Sequence, residues 1–431
     1  MVSSVQHSSL TPSPPARSLS QFSQPPTPNS SSLDYDVAIV GAGIVGLTLA
    51  CALQNSGLRV ALIEANSRDA GLQQRRAYAI TLLSGQIFQG LGVWSEILPK
   101  ITTFQQIRLA DADCPMVVNL QPQDVGTEEL GYVGEHRVLV AALLKALADA
   151  ENVTWLCPAK LIDASYGENA TLTVSIAGEQ QQIKTNLLVA ADGSRSPIRE
   201  AAGIRTQGWQ YWQSCVTVVL HPEKSHQNIA REHFWPSGPF ATLPLPNNRC
   251  QIVLTAPHAE AQHWLEVEEA EFLAELDRRY QGQLGKLELE GPRRLFPVKL
   301  MQSDRYVHPR LALVGDAAHC CHPVGGQGLN QGIRDAAALA EVLITAHQQG
   351  EDLGSERVLR RYERWRKLEN LTILGFTDFL DRFFSNQWWP IVAIRRSGLW
   401  IMGRLWPLRF LSLKLMTGLS GRTPALAKRS S

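Results

Sequence analysis

The sequence predicts an α/β protein, and three observations carry that expectation. DVAIV from Asp36 runs into G41-A-G43-I-V-G46 and a small-residue helix, and the strand RVALIE then ends on Glu64. This is a β-turn-α-β unit of about 30 residues. A second strand, LALVG at 311–315, leads through a Gly-rich loop into a long helix reaching about residue 347, so the same Rossmann-like fold resumes late in the chain. Between them, SCVTVVL, FATLPL and CQIVLTA are punctuated by Pro and Asn-Asn across about 205–260, which reads as a separate inserted sheet. Helical patterns are expected at 137–149 and at about 267–280.

With 431 residues the chain is long enough for two or three structural units. Its 41 basic and 40 acidic residues leave a net charge of +1, which provides no global field for a polyanion and argues against nucleic acid as a partner. The seven cysteines are scattered, with no CxxC pair of the kind a zinc site uses, so reduced and mostly buried thiols are expected and no metal. No run of about 18 apolar residues occurs, so the chain is expected to be soluble or at most attached to a membrane surface.

Residues 1–33 are rich in Ser and Pro and hold no acid before Asp34, which reads as a disordered leader; a transit peptide is the alternative, with Arg17 as its single basic side chain. Beyond Asp381 there is no acid at all. Arg and Lys there alternate with Trp388, Trp389, Trp400 and Trp406, a mixture suited to a membrane interface or to a basic helix pair packed on the body.

The glycine turn has a chemical meaning in this context. Gly41 permits the tight turn, Gly43 leaves room for a pyrophosphate, and Gly46 lets helix and strand pack closely, while the helix N-terminus offers N–H donors. Glu64 is placed to accept both hydroxyls of a ribose, and an acid there disfavours a 2′-phosphate. The nucleotide is therefore FAD or NAD rather than NADP.

Three further blocks narrow the choice: RRAYAI at 75–80, LLVAADGSRSPIRE at 187–200 and LALVGDAAHCCHPVGGQGLNQGIRDAAALAEVL at 311–343. Together they resemble the FAD-dependent aromatic monooxygenases related to p-hydroxybenzoate hydroxylase, and within them the ubiquinone-biosynthesis hydroxylase family. The pattern GDAAHxxHPxxGQGxNxGxxD is met by Gly315 to Asp335, and 131–139, GPFATLPL at 238–245, FPVKL at 296–300 and GLSGRTPALA are also similar. Gly134, His136 and Gly325 depart from the usual residues, which leaves flavin binding in place and blurs the substrate pocket.

The resemblance implies a glutathione-reductase-type FAD-binding domain from 34–112, 131–204 and 296–350, an inserted mixed or antiparallel substrate sheet from 113–130 and 205–295, and a C-terminal helical region from 351. It implies that Asp316 binds the ribityl chain, that Gly328, Leu329 and Asn330 face the flavin pyrimidine, and that Arg76 and Arg137 lie along the pyrophosphate and ribityl chain. Asp192 and Gly193 match a DG pair near the pyrophosphate. Read without the resemblance, Asp316 and Asp192 would be caps and Arg137 a solvated helix residue. His319 and His322 at i, i+3 lack a third metal ligand, and His322 beside Pro323 is expected to shape the flavin loop.

The implied reaction is ring hydroxylation of a polyprenylated phenol or quinone precursor. Reduced FAD would capture O2 as a C4a-hydroperoxide, with NAD(P)H or an electron-transfer protein as transient reductant, since no second nucleotide fold is present. A lipid-like aromatic substrate, a membrane surface and biosynthetic-complex partners are the expected contacts, in the cytoplasm or an organelle. No catalytic base stands out, and a different flavin substrate or a non-redox prenyl carrier of the same fold are the alternatives.

Overall fold

The computed structural model describes residues 33–112, 114 and 116–428, so the expected Ser/Pro-rich leader lies almost wholly outside the described residues. Five strands form a parallel core in the order Leu311–Leu313, Glu179–Ala190, Tyr35–Val40, Val60–Ile63 and Val153–Leu156. Val37–Ile39, Val60–Ile63, Leu187–Ala190 and Leu311–Leu313 are apolar and buried, as strands covered on both faces require. The helix Ile44–Leu53 and the long helix Gln327–Gln348 cover this core and approach so closely that a Cβ on Gly332 would lie 2.6 Å from Val45. An antiparallel meander, Ala159–Tyr166 and Ala170–Ile176, extends the sheet from Glu179–Ala190.

The second large sheet has eight strands and is antiparallel, save that Gln106–Asp111 runs parallel to Ile229–Trp235. Alternation divides it cleanly. Val216, Val218, Leu220, Phe240, Ile252 and Leu254 point to one face, where Phe272, Leu276 and Tyr280 of the helix Glu269–Tyr280 cover them. The other face turns toward the nucleotide domain, and Gln251 there accepts from Ala77 N–H at 2.5 Å and donates to the Ala77 carbonyl at 3.2 Å.

Strand pairing moves two of the expected boundaries. Gln106–Asp111 belongs to the substrate sheet rather than to the nucleotide domain, because its alternating buried residues pair with Ile229–Trp235. Leu287–Ser303 is one strand paired along Thr206–Pro222, so no boundary falls at 296. A small sheet of Ala77–Ile80, Thr102–Phe104 and Gly131–Glu135 joins the two. The C-terminal region is helical as expected, with Glu356–Phe384, Trp389–Arg404 and Trp406–Met416, and the chain end returns to the helix Leu82–Gly90, where Gly90 leaves room for the Leu426 carbonyl.

Candidate functional site

Parallel strands place all their carboxyl ends on one edge, and a crevice outside that edge is where ligands bind in such sheets. Val40, Ala190 and Leu313 deliver three loops to it. In the first, Gly41 has φ +104°, and a Cβ there would stand 2.4 Å from the Ala191 carbonyl oxygen. Gly46 would place a Cβ 1.9 Å from the Gly41 carbonyl oxygen, so both positions exclude a side chain. A Cβ at Gly43 meets nothing within 4 Å: the turn faces open space where a phosphate chain can approach. No side chain caps the helix that follows, which leaves its first N–H groups for an anion. Glu64 accepts from Ala42 N–H at 2.8 Å and from Asn66 N–H at 2.8 Å, so its carboxylate is fixed at the mouth of the turn.

The second loop carries Asp192 and Gly193. Ser196 caps the helix Pro197–Ala201 through the Arg199 N–H and donates to Asp192 at 2.8 Å, so the cap is Ser196. The other Asp192 oxygen is buried without a partner among the described residues, and burial raises its carboxyl pKa, which suits a group awaiting a hydroxyl or N–H donor.

In the third loop Asp316 reaches solvent, yet surrounding protein desolvates its carboxyl and raises its pKa; this is the situation of a group at the bottom of a cleft. The charges of His319, Arg76 and Lys299 partly oppose that rise. Arg76 itself is held over the rings of Phe296 at 4.7 Å and Tyr78 at 5.1 Å. Gly325 and Gly326 then take φ of +68° and +63°, a left-handed pair that turns the chain into the helix Gln327–Gln348 without a capping side chain. Gly328 and Leu329 lie in its first turn. Asn330 is buried there, and its side chain is fully used: it donates to Ala79 and Gly326 carbonyls and accepts from Thr81 N–H and Ser84. Asn330 can thus meet a ligand through its backbone only. Arg137, on His136–Ala146, is paired to Glu135 at 2.8 Å, and Glu135 also binds Arg249 at 3.2 Å.

Two features escaped the sequence reading. Asp335 lies under the third loop with four donors: His319 at 2.6 Å and Gly315 N–H at 3.1 Å on one oxygen, Arg366 at 2.7 Å and Asn370 at 3.1 Å on the other. His319 is therefore a partner of Asp335, and His322 accepts from Val324 N–H at 3.2 Å within the flavin loop. Among the described residues no cluster suits a metal ion. The second feature is Glu232, a carboxyl on the cleft-facing side of the substrate sheet between Ala230 and Phe234; a charge in register with apolar residues on a strand was the available signal. The thiols are inert by comparison, since all seven cysteines are free and burial pushes Cys51, Cys215 and Cys321 up to about 12.

An uncapped helix start at each end of the crevice, an open Gly43, an oriented Glu64 and an Asp316 carboxyl facing the cleft together suit one long dinucleotide of the FAD type. The comparisons agree. Residues 34–373 match the FAD binding domain family. The chain is 52% identical over 394 residues to the uncharacterized protein slr1300 of Synechocystis sp., covering 91% of this chain and 95% of that one. It is 38% identical over 399 residues to ubiquinone hydroxylase UbiL of Rhodospirillum rubrum, covering 91% and 92%. The p-nitrophenol 4-monooxygenase PnpA of Pseudomonas putida superimposes with a TM-score of 0.77 over 90% of this chain and 98% of that one, at 20% identity, a likeness of fold. The chain belongs to the FAD binding domain family and, within it, to the FAD-dependent monooxygenases of the ubiquinone-biosynthesis hydroxylase type.

Proposed function

We propose that the protein hydroxylates the aromatic ring of a polyprenylated phenol or quinone precursor in a prenylquinone pathway of the ubiquinone or plastoquinone type. FAD, when bound, supplies the oxygen-transfer chemistry, and O2 and a reduced pyridine nucleotide or electron-transfer protein are consumed with the substrate. The chain's own contribution is to fix the dinucleotide through the Gly41 turn, Glu64, Asp192, Gly193 and Asp316, with Arg76 and Arg137 beside the cleft. The start of Gln327–Gln348, at Gly328, Leu329 and Asn330, would face the flavin pyrimidine and favour negative charge there.

One observation carries the lipid part of the reading. The C-terminal helices pack by one side on the flavin loop: Gln327 donates to the Met416 carbonyl at 3.0 Å, and Leu399 and Leu413 share a buried cluster with Val324 and Phe234. Their other side exposes Trp388 at 65%, Trp389 at 76%, Leu411 at 65% and Ile394, Trp400 and Trp406 beside them. An apolar surface of this kind, one helix thickness from the cleft, suits contact with a bilayer that holds the substrate. Among the described residues no helix is long and apolar enough to cross a membrane, so the attachment is peripheral in this reading.

The test is the visible spectrum of the purified protein and its anaerobic reduction by NADH or NADPH, with and without a prenylated phenol. Faster bleaching with the phenol, and turnover that favours prenylated over non-prenylated phenols, is the expected result. Equal use of both removes the lipid part. A protein that neither retains nor takes up FAD removes the hydroxylase reading.

A further inference from the structure

We propose that Glu232 accepts the proton of the substrate's ring hydroxyl. The inference rests on the phenol-hydroxylase reading and adds to it the residue that makes the ring a nucleophile. Glu232 stands in register with Leu109 on one side and Ala241 on the other, and the row continues through Val253 and Thr217. Residues paired in this way share a face. It is the face from which Gln251 reaches Ala77, and so the wall of the cleft opposite the flavin domain.

The carboxyl has no structural task there. Its Oε1 is shut off from solvent and has no hydrogen-bond partner among the described residues. Among the described residues the Gly325 backbone favours its charged form and no cation does. Ala230 and Phe234, which flank Glu232 on its face, share a buried cluster with Val324, the residue before the left-handed pair that opens Gln327–Gln348, so Glu232 stands where the substrate sheet meets the flavin loop. A buried acid with one weak partner in an apolar row is costly to the fold, and such groups concentrate where chemistry requires them.

The step balances simply. The ring O–H bond breaks, its electron pair stays on the ring oxygen, and the proton joins a Glu232 carboxylate oxygen; nothing is oxidised, and the proton passes to water once product has left. A phenolate pushes electron density to its ortho carbon, which is what an electrophilic oxygen atom demands. Burial holds the Glu232 carboxyl up to about 8, so its capacity to accept a proton grows as pH rises through that value. The other titrating groups around this space are held out of range or lower: Cys215 and Cys321 are pushed up to about 12, Tyr78 is also raised, His322 is held down to about 3, and Asp381 on the long helix is raised to about 6. Arg76 and Asp316 lie on the flavin side, and Asp111, two residues along the neighbouring strand from Leu109, is paired to Arg395 at 2.9 Å and Arg396 at 3.0 Å.

Two measurements test the assignment on the FAD-loaded protein. An infrared pH titration follows the C=O band of a protonated carboxyl and needs no substrate. A band lost with a midpoint near 8 in the wild type and missing from Glu232→Gln is expected; a band that persists in Glu232→Gln, or one with a midpoint near 6 as for Asp381, overturns the assignment. The second is hydroxylation of 2-prenylphenol from about pH 6 to about pH 9. Glu232→Gln should retain FAD, lose about 10²-fold in kcat with little change in KM, and lose the rise toward alkaline pH. Glu232→Asp, which keeps a carboxyl, should recover part of both. A Glu232→Gln variant with wild-type kcat and pH profile overturns the inference while leaving the hydroxylase intact; a wild type that oxidises NAD(P)H yet hydroxylates no phenol overturns the reading on which it rests.

Discussion

Asp335 and Glu232 are two carboxyls withdrawn from bulk water on opposite sides of the same cleft, and they are treated in opposite ways. Asp335 is fully buried and receives four hydrogen bonds, two of them from the cationic or ionisable side chains Arg366 and His319. Those partners outweigh burial and hold its carboxyl far below the usual range. Arg366 in turn binds Glu369, Gln331 and Asn370, and Glu369 receives Arg334, so every charge in the group is answered. Glu232 has the Gly325 N–H and little else, and burial wins. The first arrangement fixes the loop that presents Asp316; the second leaves a carboxyl with capacity for a guest. Saturated buried charge marks scaffold, and unsaturated buried charge marks the place where a ligand completes the bonding.

The largest effect should come from breaking the saturated side. Asp335→Ala strands Arg366 and frees Gly315 N–H, and is expected to destabilise the protein by about 3–5 kcal/mol in denaturant unfolding, with FAD released early. The sign of its pH dependence follows from the depressed folded-state pKa: the stabilisation is present above the unfolded value of 3.8 and is lost as pH falls below it, so the mutant should lose part of the wild type's acid sensitivity.

Asp316→Ala removes a carboxyl that faces the cleft and supports nothing else. It should weaken FAD by about 1.5–3 kcal/mol, roughly 10- to 150-fold in Kd by fluorescence titration, with unfolding of the apoprotein unchanged. A loss of apoprotein stability as large as that of Asp335→Ala would dissolve the distinction between the two loops' acids.

Glu232→Gln should move stability the other way. A carboxyl raised from 4.5 to about 8 means that the folded state holds a proton which the unfolded chain has released, so wild-type stability falls as pH rises between these values. The amide carries no such penalty: the variant should match the wild type near pH 4.5 and exceed it by several kcal/mol above pH 8, measured as Tm against pH. The smallest effect belongs to Arg137→Ala. Its guanidinium is 40% exposed and shares Glu135 with the better buried Arg249, so stability should change by less than about 1 kcal/mol. A marked loss of FAD affinity in that variant would place Arg137 in the cofactor site rather than beside it.

The two sides of the cleft also differ in how far they could be read in advance. In the first turn, Gly41, Gly43, Gly46 and Glu64 lie within one β-turn-α-β unit, and their roles follow from local backbone geometry: a left-handed turn, a close helix–strand approach, an open phosphate path and an acid at the end of the next strand. That is why the α/β class and a dinucleotide of the FAD or NAD kind were legible from the residues alone, while the likeness to a family selected FAD. Asp316 was singled out differently, through the likeness of its GDAAH block to a family motif.

What remained hidden depends on register and on partners far away in the chain. Gln106–Asp111 changed sheets because its pairing with Ile229–Trp235 joins segments that no local pattern connects. Asp335 closes the matching motif in sequence, but its work is done with Arg366 and Asn370 from a different helix. Glu232 carried only the slight signal of an acid in register with Ala230 and Phe234, and the packing of that strand face against the loop at Val324 gave it an environment. Turns and short β-α-β units are governed by torsion angles and local hydrogen bonds, which the order of residues dictates directly. The charge state of a buried acid is governed by desolvation and by whichever donors the finished fold brings within a few ångströms, and that is settled by tertiary structure.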